Sequence, residues 1–257
     1  MKLHILGTGT FFANINRTAS AYVLEINDKK ILIDCGPGTL VRLSQLGIKI
    51  EDLDYVFITH LHPDHTSDLF PLFMNYRLSD LTSPGSITKF PKFFGPIGLD
   101  QFMSNYAKNS ELFAYDGWGK IEVLDYSSSP KFDDFVFKSF KVDHFAFEHF
   151  AKAYSLRFES DDKSIVFSGD TADCHGIRDA SQNADVFVCD ASFPKDVKLK
   201  AHMNTLEIGD VSESSHVKKL ILVHFYPQYD DIDLVAEVRE KYTGEIIKGQ
   251  DLSTIEI

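Results

Sequence analysis

Tyr55-Val56-Phe57-Ile58-Thr59-His60-Leu61-His62-Pro63-Asp64-His65 is the stretch on which the reading of this chain turns. Its first five residues are β-branched or aromatic, which predicts a buried strand over Asp54–Thr59. That strand delivers the chain into four metal-competent side chains, His60, His62, Asp64 and His65. Imidazoles at i and i+2 leaving a strand end can close on one ion. Asp64 and His65, past the bend at Pro63, can point to a second. Imidazole with carboxylate suits zinc, manganese or iron, and the lack of cysteine here argues against a closed structural zinc site. A solvated His-rich turn would account poorly for this spacing at a strand end.

Two ions need more ligands than this segment supplies. Further along stand His149, Asp170 (in Phe167-Ser168-Gly169-Asp170-Thr171) and His224 (in Leu220-Ile221-Leu222-Val223-His224-Phe225). Asp170 and His224 each end an apolar run, where a buried sheet hands its next side chain to a cleft. Alone, an Asp after Gly is usually a turn and a lone His a surface residue. Beside the histidine cluster they read as one ligand set, with Asp170 able to bridge two cations through its two oxygens.

The surrounding chain predicts a single domain over residues 1–257. Strands are expected at Lys2–Leu6, Ala21–Ile26, Lys30–Asp34, Lys92–Gly95, Ile121–Tyr126, Phe135–Val142, Ala153–Glu159, Ser164–Ser168, Val186–Cys189, Lys219–Val223 and Glu245–Lys248. Helices are expected at Thr39–Leu46, Ser67–Leu78, Leu99–Lys108, Thr205–Ser215 and Ile232–Tyr242. Strand-rich halves with helices after each predict an α/β fold of four layers, two sheets packed together with helices outside. Residues 79–119 are long enough for a substrate-covering insertion. The Phe-rich stretch from Phe132 to Phe158 alternates within its strands and reads as core rather than a base-stacking platform. Gly7-Thr8-Gly9-Thr10-Phe11 lacks a third glycine opening a helix, so a dinucleotide-binding reading fails. His4, His175 and His216 have no motif around them.

Composition bounds the function. A chain of 257 residues, 44% hydrophobic and 25% charged, can bury a full core without disulfide staples. The net charge of −12 argues against a surface whose main task is gripping polyphosphate. No apolar run approaches the roughly 18 residues of a membrane span, and the N-terminus has no signal-peptide pattern. Three cysteines without paired spacing fit a reducing cytoplasm.

The pattern His60-x-His62-x-Asp64-His65, a separate His, Gly169-Asp170-Thr171 and a strand-terminal His224 resembles the metallo-β-lactamase superfamily. More narrowly, it resembles the ribonuclease Z-like and phosphodiesterase branch, as do Leu6-Gly7-Thr8-Gly9-Thr10 and Leu32-Ile33-Asp34-Cys35-Gly36. The resemblance implies an αβ/βα sandwich with a dinuclear site at the rim between two mixed sheets. One ion would take His60, His62 and His149, the other Asp64, His65 and His224, with Asp170 bridging and Asp34 orienting a ligand imidazole. In this branch the ligand His precedes an aromatic that opens a strand, followed by a small residue and an Arg. His149 before Tyr154-Ser155-Leu156-Arg157 fits that register, and His144 falls five residues too early. The branch also carries a metal-facing His at the place of His202, which helps protonate the leaving group. Asp190 stands where an orienting acid is often found, an Asp in place of the expected Glu.

The implied activity is a dinuclear metal-dependent hydrolase with Asp64 and His202 in catalytic roles and two divalent transition metals, zinc first, with manganese or iron also suited. A hydroxide shared by the ions would attack a small phosphodiester or cyclic phosphate. Long-arm ribonuclease Z enzymes insert a tRNA-binding arm between the third His and the bridging Asp. That interval is short here, so structured RNA is disfavoured as a partner. The rival readings are a tRNA 3′-processing endoribonuclease, a carboxy-ester, thioester or lactone hydrolase, and a metal-binding interaction module without turnover. Homodimers are frequent in the branch.

Overall fold

Alternate residues of the apolar strands face two different cores, and this double burial sets the layering. In the computed structural model, which describes residues 1–85, 87, 89–109, 123–126, 130–146 and 149–257, one sheet holds seven strands. They are β1 (Lys2–Gly7), β2 (Ala21–Ile26), β3 (Lys29–Ile33), β4 (Leu53–Phe57), β5 (Lys92–Gly95), β6 (Val123–Asp125) and the C-terminal β15 (Ser253–Glu256). A second sheet of six strands holds β7 (Val136–Val142), β10 (Ala153–Ser160), β11 (Lys163–Phe167), β12 (Val186–Asp190), β13 (Lys219–Val223) and β14 (Glu245–Lys248). Between β7 and β10 lies a small hairpin, β8 (Phe145–Ala146) with β9 (His149–Phe150).

Along β4, Tyr55 and Phe57 enter the core between the sheets, while Val56 and Ile58 enter the core under the helices. The same alternation sends Val188 and Val223 inward and Phe187 and Leu222 outward in the second sheet. Strands buried on both faces read as continuous apolar runs, which is why they were legible without a polar alternation. Phe132, Phe135, Phe137 and Phe158 lie in or against the inter-sheet core, as the alternation predicts. On the outer faces lie α1 (Thr39–Gln45), α2 (Pro63–Thr66), α3 (Leu69–Thr82) and α4 (Leu99–Asn109) with the first sheet, and α5 (His175–Ser181), α6 (Thr205–Ser214) and α7 (Leu234–Arg239) with the second.

Asn204 caps α6 in a capping box with Glu207, and Asp233 caps α7 by accepting from Ala236 N–H. Lys92–Gly95 is an inner strand between β4 and β6, so the 79–119 span contributes to the frame itself. Residues 110–119 of that span lie outside the described residues. Helix α5, the β8–β9 hairpin and β15 were not anticipated. Among the described residues no helix is long and apolar enough to cross a membrane.

β3–β4–β5–β6 and β11–β12–β13–β14 run parallel within their sheets. Parallel strands present their carboxyl ends together, and open α/β sheets place ligands in the crevice outside those ends. Asp34, His60, Asp170, Asp190 and His224 all stand at or just past such ends.

Phe57 is fully buried, with ring centroids 4.6 Å from Phe137, 4.8 Å from Phe94 and 5.2 Å from Phe158. Phe57→Ala should lower stability by about 3–5 kcal/mol, the scale of emptying a closed aromatic site. Urea unfolding of the metal-free protein checks this.

Candidate metal centre

The strand β4 ends under tension between two obligations: its last carbonyls must be paired and its next side chain must face the rim. Tyr126 Oη donates to the Ile58 carbonyl at 2.7 Å, and Tyr154 N–H donates to the Thr59 carbonyl at 3.1 Å across the sheets. His60 and His62 then leave the strand, and Pro63 opens the short helix α2 that carries Asp64 and His65. The Cys35 N–H donates to the His65 carbonyl at 2.8 Å. Gly36 lets the two segments meet: a Cβ there would stand 1.9 Å from the Asp64 carbonyl oxygen.

Three groups of candidate ligand atoms gather here. His60, His62, His144 and Asp170 form one, Asp64, His65 and His224 a second, and Asp170, Asp190, His202 and His224 a third, with ligand atoms of each group within 4.8 Å of one another. Asp170 lies between the first two. Its Oδ2 is 3.6 Å from His60 Nε2, and its Oδ1 is 3.3 Å from His65 Nε2 and 3.5 Å from His224 Nε2. Asp64 Oδ2 is 3.4 Å from His224 Nε2.

Among the described side chains the third imidazole of the first group is His144, where the sequence register points to His149. β7 pairs with β10 so that Val142 faces Ala153, and His144 follows two residues after the end of β7, at the rim. Its ring centroid is 4.9 Å from that of His62 and 5.2 Å from that of His60. The chain then makes the β8–β9 excursion and returns, with Ala151 N–H donating to the His144 carbonyl at 2.8 Å. Counting back from β10 therefore meets His149, in β9, before the residue that occupies the site. The side chain of His149 lies outside the described residues.

Five of the imidazoles, those of His60, His65, His144, His202 and His224, have a partner at Nδ1. Asp34 accepts from His65 Nδ1 at 2.7 Å and from Thr59 N–H and Oγ1–H at 2.8 and 2.9 Å. Thr59 Oγ1 in turn lies 3.0 Å from His60 Nδ1. On the opposite side, Asp190 accepts from His202 Nδ1 at 2.5 Å and from the Ser192 hydroxyl at 2.5 Å. Ser192 Oγ lies 2.8 Å from His224 Nδ1. His144 Nδ1 donates to the Ala201 carbonyl at 2.8 Å. Asp190 thus reaches His202 despite being shorter than a Glu. Thr59 and Ser192 were not anticipated; their only sequence signal is a hydroxyl residue beside His60 and two positions after Asp190.

With Nδ1 engaged, Nε2 faces the centre. His60 Nε2, His65 Nε2, His144 Nε2, Asp64 Oδ1 and Asp170 Oδ1 are buried atoms with no hydrogen-bond partner. Such orphans cost several kcal/mol each in desolvation unless something binds them. Burial first, then neighbouring imidazole charge, holds His60 well below its ordinary pKa and His62 down at about 4. Burial lowers His144 as well. Neutral imidazole is the ligating form. Burial would raise Asp170, but His224, His65 and His60 hold it well below the usual carboxylate range. His65 and His224 are buried too, but the carboxylates around them, Asp170 first, carry both well above the ordinary imidazole value, so a cation there would take the place of a proton. Imidazole nitrogens and carboxylate oxygens converging in this way fit divalent transition metals. His4, by contrast, lies on β1 away from the centre, its ring bonded to Thr254 and Glu25 on the two neighbouring strands.

Elemental analysis of purified variants tests the set. His144→Ala should lose bound divalent metal and His149→Ala should retain it. Asp170→Ala, which touches both groups, should lose the most.

Known proteins resemble this chain over nearly its whole length. Ribonuclease Z of Clostridioides difficile (strain 630) is 25% identical over 98% of this chain and 96% of its own length. The crystal structure of the metallo-β-lactamase fold protein YhfI from Bacillus subtilis superposes with a TM-score of 0.83 at 21% identity, covering 99% of this chain and 98% of that one. Human tRNase Z, short form, superposes with a TM-score of 0.76 at 22% identity, covering 100% and 99%. The two mixed sheets with outer helices are the αβ/βα sandwich of that fold, and the chain is a metal-dependent hydrolase of the ribonuclease Z-like branch. A family model described as Anti-Pycsar protein Apyc1 matches residues 1–241, and the chain belongs to that family.

Proposed function

We propose that the protein is a dinuclear phosphodiesterase acting on a small phosphodiester or cyclic phosphate. The observation that carries this is the ring of orphaned ligand atoms around Asp170 with a hydrogen-bonded His202–Asp190 pair at its edge. His60, His62 and His144 would hold one cation and Asp64, His65 and His224 the other, with Asp170 shared. Two divalent ions, zinc first with manganese or iron also suited, would supply Lewis acidity and make water acidic enough to attack at neutral pH.

The chain's own residues do the rest. Burial would lower the His202 pKa, but the Asp190 carboxylate more than offsets it and the net shift is upward. Asp190 thus favours the protonated form of His202. Asp190 occupies Nδ1, which leaves Nε2 as the position from which a proton can pass to a leaving alkoxide. The imidazolium also favours negative charge developing on phosphoryl oxygens. The loop carrying His202 is tied to the Asp170 loop by Met203 N–H donating to the Thr171 carbonyl at 2.9 Å, so acid and ligand keep a fixed spacing.

A small substrate is favoured by charge and by topology. The net charge is −12, while structured RNA is bound largely through cations against phosphates. Between His144 and Asp170 the described residues build the β8–β9 hairpin, β10, a turn and β11, an interval too short for a long arm. We place the enzyme in the cytoplasm, where its three free cysteines would stay reduced.

His202→Ala should keep its metal and lose about 10²–10⁴ in turnover, the scale of a general acid; loss of metal instead would make His202 a ligand. The substrate class is tested by one preparation assayed on a chromogenic phosphodiester and on a precursor tRNA. Turnover of the first without correct 3′ cleavage of the second is expected, and efficient tRNA cleavage would restore the ribonuclease reading, which the names of the relatives keep in play.

A further inference from the structure

The loop from Thr10 to Asn16 joins β1 to β2 and presents two adjacent phenylalanines that the fold itself does not use. Phe11 is 49% and Phe12 51% exposed. Among the described residues neither packs into any of the three hydrophobic cores. The base of the loop is pinned: Gly9 N–H donates to the Thr18 carbonyl at 2.7 Å, and Gly9 bridges Ala19. Two large apolar rings held out on a pinned loop are an interaction surface rather than unplaced core.

Their position relative to the metal centre says what they face. The Phe11 ring lies 6.1 Å from His62, in the first imidazole group. The Phe12 ring lies edge-on 5.4 Å from Tyr226, which is itself 6.1 Å from His224 in the second group. Tyr226 continues to Phe193 at 5.1 Å, and Phe193 to His202 at 5.3 Å. One loop therefore spans both halves of the centre, and an aromatic wall runs from it to the acid.

We propose that Phe11 and Phe12 are specificity-determining residues that grip a flat aromatic group carried on the substrate's phosphoryl ester. This rests on the phosphodiesterase reading and extends it to the part of the substrate that does not react. A phosphoryl group bound among the imidazoles would bring an attached ring toward these side chains, which stand beside His62 and Tyr226. The occupant follows from continuity with the centre: the wall begins at a ligand imidazole and ends at His202. Ring–ring contact is worth enough for several-fold to 100-fold selection of an aryl over an alkyl ester.

The test compares direct binding, by titration calorimetry, of phenylphosphonate and methylphosphonate to the metal-loaded protein; the two share the anion and differ in the ring. Wild type should prefer the phenyl compound, and the preference should fall about tenfold in Phe11→Ala/Phe12→Ala. Phe12→Trp should keep it, whereas Phe12→Leu, apolar but not aromatic, should lose it. Equal weakening toward both phosphonates, or retention in the Leu variant, overturns the proposal. Ile15, on the same loop, is 96% exposed, so light scattering is measured alongside. A drop in mass in the double variant assigns the loop to contacts between copies and also overturns it. Phosphodiester turnover by wild type separates this proposal from the one beneath it. Turnover without phenyl preference removes only the aromatic grip, phenyl preference without turnover removes only the hydrolysis reading, and binding of neither phosphonate removes both.

Discussion

Four carboxylates, Asp34, Asp64, Asp170 and Asp190, are buried at one rim of the molecule, and the rest of the site is arranged around the cost of keeping them charged there. A buried carboxylate persists only where donors or cations replace its lost water. The two outer ones are satisfied by the protein. Asp34 takes Thr59 and His65, and Asp190 takes Ser192 and His202. The two inner ones are not, since Asp64 and Asp170 each keep an oxygen without a partner. Protein donors therefore neutralise the outer pair, and the inner pair is left for cations.

The satisfied pair works by a shared device. In each case a carboxylate binds one imidazole directly and a second through a hydroxyl residue: Asp34 holds His65 and, by way of Thr59, His60; Asp190 holds His202 and, by way of Ser192, His224. An imidazole that gives its Nδ1 proton outward presents its Nε2 lone pair inward, so the outer shell determines which nitrogen can bind metal. The backbone complies at some strain. Asp34 and His224 have φ of 58° and 62°, a left-handed conformation that side-chain-bearing residues rarely adopt. Both stand at strand ends where a continued strand would carry the side chain away from the rim, and such strain collects at functional sites.

Much of this was legible in the sequence because the chemistry sits on the regular part of the fold. His60, Asp170 and His224 follow apolar runs buried on both faces, and a run of that kind announces both its strand and the residue that leaves it. His144 was not legible, because the local pattern around Tyr154-Ser155-Leu156-Arg157 gives a register but not the hairpin that displaces it. Only the pairing of Val142 with Ala153 shows that the chain leaves β7 at the rim and comes back. Thr59 and Ser192 escaped for a different reason: a hydroxyl acts here through contacts across the fold, and threonine in a strand needs no further explanation. Helix α5 has only about two turns of sequence and carries Gly176, which lowers helix propensity. It forms because Ile177 and Ala180 are buried under the second sheet, a tertiary cause invisible to local pattern.

The Asp190 side connects two functions that could have been separate. On the proposed reading His202 transfers a proton and His224 binds metal, and the hydrogen bonds of both lead to the same carboxylate. Burial would push the Asp190 carboxyl up, but His202 and His224 hold it at about 2, so its charge is constant across the physiological range. A constant charge fixes the tautomer of both rings and leaves only the far nitrogen of His202 to exchange a proton. His202 also rests on Met203 N–H bonded to the Thr171 carbonyl, next to Asp170. Acid, ligand and bridging carboxylate are thereby placed by one connected set of bonds spanning β11, β12, β13 and the start of α6. Proton donation and metal position can then hold to a common geometry without any one side chain contacting all of its partners.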